Sequence, residues 1–144
     1  MPHAREQIRT AVVTNLTGLA TTGSAVHNSR VYAFETLPCL NIATPFDEKK
    51  DDVMNGIVNR TVDIVVEGRV RESAAAHNTL DDIAAEVEAA MFADPGIGGR
   101  VKYLELANTD ISFEEGSQNL VGLVRLTFRA EYRVAETDPT TIVQ

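Results

Sequence analysis

A single cysteine, Cys39, stands among the 144 residues, so no intrachain disulfide can form and a disulfide-stapled secreted scaffold is excluded. Long apolar runs are missing too. No segment approaches the ~18 consecutive apolar residues of a membrane-spanning helix. The opening MPHAREQIRT also lacks the cationic region and apolar stretch of a signal peptide. These absences predict a soluble protein of a reducing compartment with no membrane partner. Basic residues are scarce: Lys and Arg total 13 against 21 Asp and Glu, a formal net charge of −8. A chain of that sign repels phosphate backbones, which argues against nucleic-acid binding as its main role.

Compact metal and nucleophile patterns are also lacking. His3, His27 and His77 fall in a helix start, a loop and a pre-helix turn, with no carboxylate or second histidine at ligand spacing. Cys39 lies inside the apolar run LPCLNI, a setting for a small buried residue rather than for an exposed, electropositive nucleophile. Gly96-Ile97-Gly98-Gly99-Arg100 follows a helix pattern and opens a strand, the reverse of a phosphate-cradling loop. The charged run 47–52 lacks the alternating oxygen ligands and central Gly of a calcium loop, and two lysines interrupt it. The expectation is a protein with no metal, no cofactor and no catalytic constellation.

What is present is the material for one globular unit. Hydrophobic residues make up 44% and charged residues 24%, enough to build a core, and the length fits a single domain over 1–144. From Pro2 to Leu19 the positions Ala4, Ile8, Val12, Leu16 and Leu19 form one stripe of an α-helix, with Gly18 as its stop. Arg30 to Glu35 and Leu37 to Thr44 read as two strands joined by a tight turn. Residues 45–57, with Phe46, Asp47, Glu48, Lys49, Lys50, Asp51 and Asp52 followed by Asn55-Gly56, read as an exposed mobile loop.

Between Arg60 and Ser73, Val62, Ile64, Val66 and Val70 share one face of a half-buried antiparallel strand. Leu80, Ile83, Ala84, Val87 and Met91 lie on one face of a second helix over about 79–93, capped near Asn78-Thr79. Val101 to Leu106 and Ile111 to Glu115 read as strand pieces around a kink at Asn108. Leu120 to Val134 alternates most cleanly, apolar on one face and polar and basic on the other. Fifteen residues at strand rise reach about 50 Å, against a domain about 37 Å across, so this strand should bend, bulge or overhang toward a second subunit. The end, 135–144, reads as a flexible tail.

Two single-striped helices and a one-faced sheet are complementary. The expected fold class is therefore α+β: a mixed, mainly antiparallel sheet with two helices packed on one face. On the basic strand face Arg125, Arg129 and Arg133 recur about 13 Å apart, with Arg69 and Arg71 as candidates to join them. They read either as a solvated face paired with Glu67 and Glu131 or as a subunit interface, where Arg is favoured.

The order of these segments resembles the tail terminator, or minor tail protein U, family of long-tailed bacteriophages. The resemblance runs through HAREQIRTAVVTNLTGL at 3–19, TTG at 21–23, SRVYAFE at 29–35, LPCLNI at 37–42 and RTVDIVVEGRVRE at 60–72. It continues through TLDDIAAEVEAAM at 79–91, the Gly pair before Val101 and LVRLTFRAEYRV at 123–134. It implies a structural virion protein whose subunits form a six-membered ring that caps the tail tube, stops its polymerisation and meets the head/neck connector. DNA would pass through the lumen without specific binding, and assembly would take place in the bacterial cytoplasm. The resemblance carries no residue-by-residue interface motif; from the physics of the arginine face and the charged loop, Arg69, Arg71, Arg125, Arg129 and Arg133 are expected at the subunit interface, and 46–52 at the tube or connector contact. Two other classes stay open: a different neck or tail component, such as a head–tail joining or tail tube protein, and a small ferredoxin-like enzyme, for which no polar cluster converges.

Overall fold

The computed structural model describes residues 2–28, 38–53, 56–71, 76–115 and 120–143. Helix α1 is Ala4–Leu16 and helix α2 is Ala76–Ala93. The strands are β1 Val26–Asn28, β2 Cys39–Val53, β3 Ile57–Arg71, β4 Tyr103–Glu115, β5 Leu120–Ala135 and β6 Asp138–Ile142. They form one sheet in the order β1-β2-β3-β5-β4, with β6 added to β5. Only the β1–β2 pair is parallel. The architecture is the expected α+β class.

The apolar stripes decide which face is covered. α1 buries Ala4, Ile8, Val12 and Leu16, and α2 buries Ala76, Leu80, Ile83, Ala84, Val87 and Met91. They share one core with Val62, Ile64, Val66 and Val70 of β3 and with Val124, Leu126, Phe128, Ala130, Tyr132 and Val134 of β5. Each fully buried aliphatic side chain there contributes about 1.5–3 kcal/mol. His3 caps α1 by accepting the Arg5 backbone N–H on Nδ1 at 3.1 Å. Thr17 is extended, and Gly18 follows it at φ 96°, which ends the helix as expected. α2 begins at Ala76, earlier than 79, so Asn78 and Thr79 lie inside the helix rather than capping it.

Three sequence expectations change. Within the predicted loop 45–57, residues 45–53 are strand, since β2 continues to Val53 and pairs antiparallel with β3 from Phe46↔Asp63 to Val53↔Ile57, while 54–55 lie outside the described residues. Shifts in register between Ala43 and Phe46 and between Lys49 and Asp51 let the charged run stay in the ladder. The end is not a free tail either, since β6 pairs Val134↔Ile142 and Ala135↔Asp138, and Gln7 Nε2 donates to the Thr140 carbonyl. The long strand β5 does not overhang. β3 flanks it without interruption from Ile57↔Ala135 to Arg71↔Val121, and β4 with β6 lines the other side. The kink at Asn108 is a register shift between Leu106 and Asn108, so both predicted pieces belong to one strand. The predicted strand Arg30–Glu35 lies outside the described residues.

Candidate functional site

The sheet face that carries no helix among the described residues holds the arginines. Glu67 accepts from Arg69 Nε at 3.1 Å and from Arg125 Nη2 at 3.0 Å. Arg129 reaches Asp63 at 3.3 Å, and Arg133 donates to Asn59 Oδ1 at 2.7 Å, whose Nδ2 donates to Asp51. Lys50 pairs Glu131 at 2.9 Å, in place of the expected Arg–Glu131 pair. Arg71 is exposed at the end of β3. The structure thus brings Arg69 and Arg125 together on one carboxylate, with Arg129 and Arg133 further along β5 on separate partners. This is a laced, charge-balanced surface rather than a basic patch. The half-exposed pair Arg129–Asp63 contributes about 0.2–1 kcal/mol.

Glu67 differs from the other described carboxylates of this face in being buried, at 7% exposure. Burial pushes its carboxyl upward, but the hydrogen bonds from Arg125 and Arg69 outweigh that and hold its pKa below the ordinary value. Register then extends the feature across the sheet. His27 faces Asn41, Asn41 faces Glu67, Glu67 faces Arg125 and Arg125 faces Asp110. One polar or charged residue from each of five strands forms a transverse row. Asn41 is 5% exposed, and both its Oδ1 and Nδ2 are buried with no hydrogen-bond partner; His27 Nε2 is in the same condition. Sequence reading placed His27 in a loop and missed the row, because no two of its members are neighbours in the chain. Its one local signal is the polar Asn41 inside the apolar run LPCLNI.

The members of the charged run 46–52 separate. Phe46 is 51% exposed, and Glu48, Lys49, Lys50 and Asp51 are exposed strand residues; Asp52 keeps its place in the ladder opposite Val58. Asp47 turns to the helix side, where it meets Arg5 at 3.1 Å, Arg60 at 3.5 Å and the Tyr132 hydroxyl. Burial and the bond to Asp47 push the Tyr132 phenol well above its ordinary range. Burial, then Arg5 and Arg60, hold His3 below its usual value, with Asp47 opposing them. Cys39 is fully buried, as expected for a small packing residue. Among the described residues no group of three or more His, Cys, Asp and Glu side chains is placed to hold a metal ion, and no helix is long and apolar enough to cross a membrane.

The outer edge of the sheet is the other exposed feature. Among the described residues β4 pairs only with β5, and Ala107 to Phe113 are exposed along their whole run, including Ile111 and Phe113 at 38% each. This free edge, not β5, is where a further strand has room to add.

Fold and surface together define an α+β domain with one helix-covered sheet face and one polar, cross-paired face. No family model and no curated protein matches the chain. Among solved structures, a chain from the virion of a native gene transfer agent (GTA) particle has the same fold, with a TM-score of 0.63 over 85% of this chain and 92% of that chain, at 17% identity.

Proposed function

We propose that the protein is a structural component of a phage-like virion, and within it a tail terminator. Six copies form a ring at the head-proximal end of the tail, stop tube polymerisation and offer the attachment surface for the head/neck connector. The observation that carries the reading is the fold shared with a GTA virion chain over 85% of this chain and 92% of the other. The order of segments that resembles the tail terminator family adds the finer role. The role is structural, not enzymatic, with DNA passing through the lumen.

Two structural features support assembly. Among the described residues the outer edge of β4 pairs with no further strand, with Ile111 and Phe113 exposed along it, and such an edge is a template to which a neighbouring subunit can add. The helix-free face, with its arginines Arg69, Arg71, Arg125, Arg129 and Arg133, is broad and polar, the character of a non-obligate contact surface. The exposed hairpin arm carrying Phe46 and 48–52 is the proposed contact to tube or connector.

Light scattering over a concentration series, with negative-stain images of the heaviest species, tests the reading. A closed ring of about six subunits that never elongates is expected. Filaments of the purified chain overturn it in favour of a tube protein. A monomer that also fails to cap added tail tubes overturns it altogether.

A further inference from the structure

We infer that the outer edge of β4, together with the ledge between it and α2, receives an extended basic segment of another polypeptide as an added strand. Two ring contacts define the ledge. The His77 ring meets Phe113 of β4 at 5.0 Å between centroids, and Phe92 meets Phe128 at 5.9 Å, opposite Leu106 of β4. One flank of α2 therefore runs alongside β4 from His77 to Phe92, about 22 Å, the span of about seven strand residues. Leu106 and Ile111 stand opposite the core residues Phe128 and Val124, so they share the helix side of the sheet. Phe113 joins them, since a Cβ on Gly122 would meet both its ring and Leu80 of α2. Ile111 and Phe113 are each 38% exposed, and among the described residues no strand lies outside β4. Unpaired main chain and apolar side chains thus lie open along one line.

Charge selects the occupant. β4 holds four acidic residues and α2 another four, and neither element holds a Lys or Arg. At helical spacing Asp81 and Glu88 fall on the same flank as His77 and Phe92. Neither acid forms an ion pair among the described residues. The arginines beside β4, Arg125 and Arg129, lie on the opposite sheet face and are taken by Glu67 and Asp63. A Lys or Arg on the helix side of an added strand lays its aliphatic stem over Ile111 and Phe113 and carries its cation toward Asp81 or Glu88. Strand alternation places such a residue at every second position, while the main chain pairs with β4. A second copy of this chain offers no such strand. Another β4 brings the same acids; β1 and β6, three and five residues long, hold no Lys or Arg. The open run of β2 sets Lys49 and Lys50 among Glu48, Asp51 and Asp52. The neighbour added here is therefore a different chain, whether or not copies of this one form a ring.

The test follows hydrogen exchange of the β4 backbone amides by NMR in the full chain. Three capped octapeptides serve as probes: alternating lysine–threonine, alternating glutamate–threonine, and the lysine peptide methylated at every backbone nitrogen, which keeps its charge but cannot donate to a strand. Saturable slowing of exchange over 107–113 with the unmethylated lysine peptide alone is the expected result. Asp81→Asn/Glu88→Gln should weaken that peptide about fivefold at fixed salt, the scale of two exposed ion pairs, with the melting temperature unchanged. Ile111→Lys should abolish binding by setting a like charge on the ledge; should that variant not fold, the Asp81 and Glu88 pair still decides. Absence of saturation, equal binding of the methylated or the glutamate peptide, or full affinity in Asp81→Asn/Glu88→Gln would overturn the proposal. So would the same protection in peptide-free protein rising with its concentration, which gives the edge to a second copy.

Discussion

Tyr132 donates its hydroxyl hydrogen to Asp47, 85 residues away, and so ties the end of the sheet to a segment whose composition reads as a solvated loop. The same carboxylate faces Arg5 and Arg60, and its side chain is only 5% exposed. Asp47 is the electrostatic clasp between α1, β2, β3 and β5.

Replacing Asp47 with Ala strands the Arg60 guanidinium and the Tyr132 hydroxyl in a partly buried site. Breaking a fully buried pair costs about 3–5 kcal/mol. With Arg5 40% exposed, the expected loss is about 2–3 kcal/mol, read as a lower midpoint in urea with an unchanged slope. Deleting 46–55 removes the clasp and the hairpin rungs together, and should leave no cooperative melting transition. A deletion variant melting like the parent would show that this hairpin arm carries no stability.

At Gly68 the missing side chain lets α2 pack close against the sheet. A Cβ there would stand 2.8 Å from Ile83 Cγ2 and 3.1 Å from Val124 Cγ1, so a methyl group forces the α2 contact to shift. Gly68→Ala should cost about 1–3 kcal/mol by overpacking. Removing the opposing Cγ2 methyl in Gly68→Ala/Ile83→Leu should recover part of that loss. A double variant no more stable than Gly68→Ala would place the strain in the β3 backbone instead of at this contact.

Glu67 links the arginine face to pH. Its folded pKa lies below the ordinary 4.5, so the unfolded chain takes up the proton first as the pH falls. The stabilisation is whole above about pH 4.5 and is lost as the pH drops through the folded value. Glu67→Gln should flatten that acid limb, and a variant with an unaltered limb would move the effect to another carboxylate. The magnitude is held down by solvent at Arg125, which is half exposed.

The elements legible in the chain are those with a single periodicity. The stripe Ala4–Ile8–Val12–Leu16 and the alternation from Val124 to Val134 gave α1 and β5 to within a few residues, because one buried face dictates each pattern. The hairpin arm over 46–53 was illegible for the opposite reason. Its charges lie on both faces of a strand, and two register shifts break the alternation that would have betrayed it. β6 failed similarly: a five-residue edge strand beginning Asp-Pro has no pattern of its own and is held by Val134, Ala135 and Gln7. The arginines were legible as a row with Glu67 among its possible cross-strand partners, but that Arg125 is the one opposite Glu67 is set by the β3–β5 register, which alternation does not give. The orphaned Asn41 and His27 were not, since an unsatisfied group is a property of its surroundings in space.

Arg129 separates an interface role from an intrachain one. It pairs Asp63 at 3.3 Å with its own side chain half exposed, so Arg129→Glu sets two like charges opposite each other and costs the fold less than about 1 kcal/mol. In a ring held partly by this face, the same change should shift assembly toward smaller species far more than it shifts melting. The exchange Arg129→Glu/Asp63→Arg restores the intrachain pair but moves the cation to β3. If Arg129 contacts a neighbouring subunit, the exchange regains the parent's melting temperature and stays defective in ring mass. If its only task is the cross-strand pair, both properties return together, and Arg129 leaves the list of interface residues.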